Sequence, residues 1–509
     1  MATIYRLPDE LLLQVTAHLR AKKSAAQHSS LRQLCLVSKK LLPIAQEQLY
    51  TAVVLPIPCG CHPGVNAAVQ LLRTLLDRPK LACQIKGLRF SIVRRKVGTL
   101  YQSHGFDLCE VRGKCLAKLT EYQFAAGHPW RAALQDDFES AYGGVLLSLL
   151  PNLDELDFAV KDHHRGYLSV ESISALFVTS YPPATTVAAL AKLRYISTAD
   201  LSFLRDIAFT NLKTIHLKRV DVRTALQLNG SNTLRGATQL GSLSLELSIQ
   251  LIDEVYMHEM QVCLGDVFDA LGCQKLEHLS IVLSNDAYPM GSARSFCAHY
   301  FTTQLELVSS TLRKLEIDVD PHEDGDEWSW FFGQCIKPTK SLDKFQELQQ
   351  LKIPQEFLFK KPLDDAIIAP ANLPRTLQRL DIVAPDKDVE DWARRFWDKS
   401  VDLPDLKILC LQCREGLNSS KADFAKGVSD VWVSLEDGLN VSCVVCDIAD
   451  GVEKSLKELY AEDPDSSSDE TDGWDEYDED SDDDDDDSLP ALESVPVGII
   501  EELLVDGVD

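Results

Sequence analysis

Leu276-Glu277-His278-Leu279-Ser280-Ile281 and, 36 residues on, Leu312-Arg313-Lys314-Leu315-Glu316-Ile317 are two copies of one phrase, Leu-x-x-Leu-x-Leu. The same phrase stands at Leu153/Leu156/Phe158, Leu212/Ile215/Leu217, Leu240/Leu243/Leu245, Leu348/Leu351/Ile353, Leu377/Leu380/Ile382 and Leu406/Leu409/Leu411. Weaker copies are Ile85/Leu88/Phe90 and Leu193/Ile196, and Val441 to Ile448 reads as a last strand. From Leu212 onward the first leucines lie 28, 36, 36, 36, 29 and 29 residues apart. A period of that length is one supersecondary unit per repeat. Each unit offers a short strand whose period-two apolar side chains point one way, and none can bury that face alone. Stacking the units supplies the core, so an α/β chain of parallel strands with helical return segments is expected.

The spacing is close to that of leucine-rich repeats, and the expected fold is an irregular leucine-rich-repeat solenoid, a horseshoe, over residues 85–458. The interval from Ile85 to Leu153 is 68 residues and holds an insertion near 94–142; a second insertion falls near 321–344. The Asn usual eight positions after the first leucine is missing, its place taken by Val220, Ser248, Ser284, Asp320, Glu356, Pro385 and Arg414. The turns must therefore satisfy their backbone groups in another way. Positions between the inward leucines should line a recognition face. Asp157, His216, His278, Lys314, Glu316, Lys352, Arg379 and Asp381 are the candidate substrate-binding residues on it. Their mixed signs argue against a nucleic-acid groove, which needs clustered Lys and Arg, and favour a protein partner.

Charge is distributed unevenly. Of the net −27, all but five units belong to Glu462–Asp509, which holds 22 acidic residues and no Lys or Arg. With the unbroken run Asp482–Asp487 and almost nothing apolar to bury, residues 459–509 read as a disordered acidic tail. It offers a dock for a basic partner, acid-directed kinase sites at Ser466, Ser467 and Ser481, and a short amphipathic stretch over Val497–Val505. No run of about eighteen apolar residues is present, so no membrane partner is expected. The 14 cysteines are scattered, several inside apolar runs, which suits reduced thiols in the cytoplasm or nucleus. The sequons at Asn229, Asn418 and Asn440 are read as chance.

Enzyme chemistry is thin, with no phosphate-cradling Gly-x-x-x-x-Gly-Lys loop, no Gly-x-Ser-x-Gly elbow and no His-Glu-x-x-His. Cys410/Cys413 and Cys443/Cys446 have zinc-ligand separation but lie in expected strands without turn residues between them. Cys59-Gly60-Cys61-His62 lacks an evident fourth ligand, and the calcium-like run from Asp320 ends on Phe331 where a bidentate Glu is required. No metal and no cofactor are expected.

At the other end, Leu7-Pro8-Asp9-Glu10 opens a helix in which Leu11, Leu12, Val15 and Leu19 recur at helical spacing. Further helical stretches carry Leu31, Leu34, Cys35, Val37 and Ser38, then Leu41, Leu42, Ala45 and Leu49. Three short helices over residues 1–52 make a meagre core with apolar side chains left outside. Residues 53–84 read as a linker or cap. The order Leu7-Pro8-x-Glu10-Leu11, Val15, Leu19, Leu34-Cys35-Leu36-Val37-Ser38-Lys39-Lys40 and Leu49-Tyr50 resembles the F-box motif. The phrase Leu146-Leu147-Ser148-Leu149-Leu150-Pro151-Asn152-Leu153 is similar to the helix-to-strand junction of fungal F-box proteins with such repeats. The resemblance implies a non-catalytic substrate receptor of a ubiquitin ligase. Leu7, Pro8, Leu11, Val15, Leu19, Val37 and Ser38 would dock on a Skp-type adaptor and through it a cullin, and the repeats would hold a protein substrate. The family's frequent Trp near the third helix is replaced here by Leu41, Leu42 and Tyr50. The alternative is an interaction scaffold, independent of ubiquitin, whose acidic tail binds or shields basic proteins.

Overall fold

The computed structural model describes residues 8–20, 30–31, 33–36, 39–56, 64–162, 174–178, 183–198, 207–220, 240–252, 257–258, 264–284, 296–319, 336–359, 372–397, 403–413, 424, 430–447 and 452–456. The acidic tail, Leu7, Val37, Ser38, the Cys59–His62 cluster, residues 320–335 and Arg414 lie outside them. The chain divides into two compact units at Leu49 and Tyr50.

The larger unit is α/β and carries an open 13-stranded sheet. In chain order its strands are β1 (Ala52–Val54), β2 (Gly87–Arg94), β3 (Glu155–Asp162), β4 (Tyr195–Thr198), β5 (Thr214–Val220), β6 (Ser242–Ser248) and β7 (His278–Ser284). A two-residue β8 (Phe296–Cys297) pairs apart with β10 (Ile336–Lys337), and the large sheet continues through β9 (Lys314–Val319), β11 (Gln350–Pro354), β12 (Arg379–Val383), β13 (Ile408–Cys413), β14 (Ser442–Asp447) and β15 (Glu453–Ser455). Its strands lie in strict sequence order, parallel throughout except that β15 turns back antiparallel on β14. Every copy of the leucine phrase, including the weak ones, falls on a strand of this sheet.

Register follows from the leucines. Leu88, Leu156, Ile196, Ile215, Leu243, Leu279, Leu315, Leu351, Leu380, Leu409 and Cys443 are opposite one another across successive strands and all are buried. Two residues further along each strand lies a second buried row, opened by the stacked rings of Phe90 and Phe158. A slip of one residue in any strand would turn its leucines out to water.

The absent Asn is replaced by the main chain. The carbonyl of the second residue of a phrase accepts the N–H groups of the second and third residues of the next. Lys86 takes Asp154 and Glu155, Arg194 takes Lys213 and Thr214, and Gly241 takes Glu277 and His278. Glu277, Arg313, Gln349 and Gln378 continue the pattern as far as Lys407 and Ile408. Side chains just ahead of a phrase add to it. Thr311 Oγ1 donates to the Leu276 carbonyl at 2.8 Å and Thr376 Oγ1 to the Leu348 carbonyl at 2.9 Å. The strand entries are thereby saturated without a repeated amide side chain.

Helices cover the inward face, among them Ala67–Asp77, Glu139–Ser148, Leu264–Ala270, Ala298–Leu305 and Asp430–Leu439. The stretch 53–84, read as a linker or cap, supplies most of β1 and the first of these helices. Gly143 and Gly144 bring Glu139–Ser148 into close contact: a Cβ on Gly144 would stand 2.4 Å from the Leu176 carbonyl oxygen. The first insertion holds the helices Gly98–Ser103, Leu108–Glu121 and Pro129–Gln135. Its ends are tied together where Val97 N–H meets the Asp137 carbonyl, Glu139 N–H meets the Arg95 carbonyl, and Lys96 bridges Phe138.

In the smaller unit, the helix Asp9–Arg20, helical residues 30–31 and 33–36, and the start of the helix Leu41–Thr51 are described. Leu12, Leu41 and Ile44 form its core, with Leu13 and Leu34 packed against them.

Two substitutions test this architecture. Leu315→Ala should lower unfolding stability by about 2–5 kcal/mol in chemical denaturation, because a fully buried central rung leaves a cavity. Val178→Gly should raise it by about 1 kcal/mol, because an exposed β-branched residue is held there at φ +55°.

Candidate functional site

Two surfaces carry the residues singled out in the sequence. The first is the outer side of the N-terminal helix. Leu12 and Thr16 turn inward, whereas Leu11 and Val15, one helical turn apart, are 44% and 43% exposed. Leu36 on the next helical stretch is 60% exposed, a residue the sequence reading passed over although it stands inside the quoted motif. Pro8 is exposed, and its carbonyl accepts from the N–H groups of Leu11 and Leu12 to start the helix. Leu19 is helical, with its side chain outside the described residues, as are Leu7, Val37 and Ser38 altogether.

The second surface is the outward face of the large sheet. Between the two leucine rows, one lateral row runs Arg89, Asp157, Ser197, His216, Ser244, Ser280, Glu316, Lys352, Asp381, Cys410 and Val444. His278, Lys314 and Arg379 belong to the row before it. All eight candidate residues thus stand on one face, and no two flanking strands break the alignment.

Their charges are matched within that face. Asp157 accepts from Arg89 at 3.1 Å and pairs with Lys218; Lys314 pairs with Glu316 at 2.8 Å and Lys352 with Asp318 at 2.6 Å. His216 lies between Ser197 Oγ, 3.3 Å from Nδ1, and Glu246 Oε1, 3.2 Å from Nε2. Arg379 holds the buried Asp381 at 2.7 Å and reaches Glu453 on β15 at 2.6 Å. That bridge spans the outward side of β13 and β14, where the buried Cys410 stands opposite Asp381. The partners Lys218, Glu246 and Asp318 sit directly after the leucine phrase, two residues beyond its outward position. Extending the period-two reading along each strand would have found them; nothing local in the sequence marks Glu453.

Ser197, His216 and Glu246 stand in the order of a hydrolytic triad, but Ser197 is 0% exposed and no substrate can reach its hydroxyl. The arrangement is a polar bridge across β4, β5 and β6. The paired cysteines are split by strand geometry: Cys413 and Cys443 face the leucine side, Cys410 and Cys446 the outward side. Burial pushes the Cys443 thiol up to about 12 and raises that of Cys410, away from thiolate chemistry at neutral pH. Among the described residues no three His, Cys, Asp or Glu side chains converge as a metal set, and no helix is long and apolar enough to cross a membrane.

No family model matches the chain, and no curated protein matches it.

Arg379→Leu should lower stability by about 1–3 kcal/mol, because it strips a buried carboxylate of its cation. Chemical denaturation of the variant beside Arg379→Leu/Asp381→Leu checks this, the pair being closer to the parent than the single change.

Proposed function

We propose that the chain is the substrate-recognition subunit of a Skp-cullin-F-box ubiquitin ligase. The N-terminal unit acts as the three-helix F-box that docks on a Skp-type adaptor, and the large sheet with its helices acts as a leucine-rich-repeat solenoid that holds a protein substrate. Transfer of ubiquitin to the substrate's lysines belongs to other subunits, and this chain catalyses nothing.

The observation that carries the reading is the exposure of Leu11 and Val15 on a unit whose core is Leu12, Leu41 and Ile44. Apolar side chains a turn apart on so small a core favour cover by another polypeptide. They fall where the motif order Leu7-Pro8-x-Glu10-Leu11 puts the adaptor contact. Support for the second half comes from the sheet's outward face. Its polar side chains are held by lateral pairing on rigid strands, which suits recognition of a folded protein surface by hydrogen bonds and fits poorly with a phosphate-lined nucleic acid.

Purified Skp-type adaptor and the full chain provide the test. Leu11→Asp/Val15→Asp should weaken binding at least about 30-fold in calorimetry, the loss expected of a central apolar contact worth about 2 kcal/mol, with an unchanged circular dichroism spectrum. Equal binding by parent and variant, or none by the parent, overturns the assignment.

A further inference from the structure

Apart from the two surfaces above, the strand entries form a rim of their own. From β2 to β13 the second residue of each phrase donates its N–H to the carbonyl of its counterpart on the strand before, over 2.7–3.0 Å, so these residues stand in one lateral row. Five of the strands bring a cation to it: Lys86, Arg194, Lys213, Arg313 and Lys407. All five are exposed, and none makes an ion pair or a side-chain hydrogen bond among the described residues. The outward face is the reverse case, since Arg89, Lys218, Lys314, Lys352 and Arg379 each hold a carboxylate there.

Open cations on a rigid row repel one another. Neighbouring strands are about 4.8 Å apart, so Arg194 and Lys213, joined N–H to carbonyl at 2.9 Å, bring two like charges side by side. Lys192, on the turn just before, is a third exposed cation. Solvent and salt weaken this repulsion, and an anion laid across the row would turn it into attraction. Asp154 and Glu277 stand in the same row and form no ion pair with these cations. Those two carboxylates decide the kind of partner. A nucleic acid has a phosphate at every step and would set some of them against Asp154 and Glu277, and the row holds no aromatic ring on which a base could stack. A polypeptide can put its Asp and Glu opposite the cations and neutral residues opposite the rest. From β2 to β13 the row spans about 43 Å, which an extended segment of about 13 residues covers.

We propose that this rim is a docking surface for an acidic polypeptide segment of a partner, laid across the strand entries with its carboxylates on Lys86, Arg194, Lys213, Arg313 and Lys407. The proposal does not rest on the ubiquitin reading. Adaptor binding is assigned to Leu11 and Val15, so failure of either measurement leaves the other standing.

Fluorescence anisotropy on the full chain, acidic tail included, tests it with a labelled synthetic peptide of about 13 residues in which Glu alternates with Ser. Saturable binding that weakens as salt rises is expected. Arg194→Ser/Lys213→Ser should weaken it about three- to tenfold, and Arg194→Glu/Lys213→Glu further, each with the circular dichroism spectrum of the parent. Absence of saturable binding by the parent overturns the proposal. Equal affinity for a peptide with Gln in place of Glu, equal affinity of the charge-reversed variant, or tighter binding of a single-stranded RNA of matching length does the same.

Discussion

Every strand in the large sheet depends on the strand before it, because the apolar side chains of one leucine phrase cannot be hidden by that phrase alone. What joins the units from β2 to β13 is a main-chain bond made twice at each step, one carbonyl receiving two successive amides from the next unit. This contact fixes strand direction, lateral spacing and register together, and the leucines then have one face to fill. Side-chain identity at the turn is left free. That freedom explains why the chain dispenses with a repeated Asn and tolerates units of unequal length.

Much of this was readable in advance. Inward positions were set by the spacing of leucines, since a period of two leaves no choice of face once the strand is accepted, and the weak copies at Ile85 and Leu193 obey it as fully as the strong ones. Less legible were β1 and the helix Ala67–Asp77, hidden in a stretch whose Pro and Gly content reads as linker. The pairing between outward charges was equally obscure. Arg379 and Glu453 are 74 residues apart, and only the return of β15 alongside β14 brings them within reach. Sequence reasoning named Lys314 and Lys352 as candidate recognition residues on the outward face; it did not reveal that each has its own carboxylate there.

The two surfaces differ in how they would use energy. On the N-terminal helix, apolar side chains stand open to water, so covering them is favourable in itself. On the sheet, the charged groups already have partners, and an incoming protein gains little from net attraction; its fit must come from shape and from hydrogen bonds at the pairs' remaining lone pairs and protons. A strong anchor that is indifferent to cargo and a discriminating face with little intrinsic pull are complementary properties in the proposed receptor.

The last strand has one more effect. A stack of like units has two raw ends, and a parallel edge left bare could accept the first strand of another molecule and grow head to tail without limit. By reversing direction over three residues, β15 presents an edge of the wrong polarity for that addition. At the opposite end β1 is equally short. Both edge strands of the sheet are three residues long and offer few unpaired N–H and C=O groups for another chain to extend.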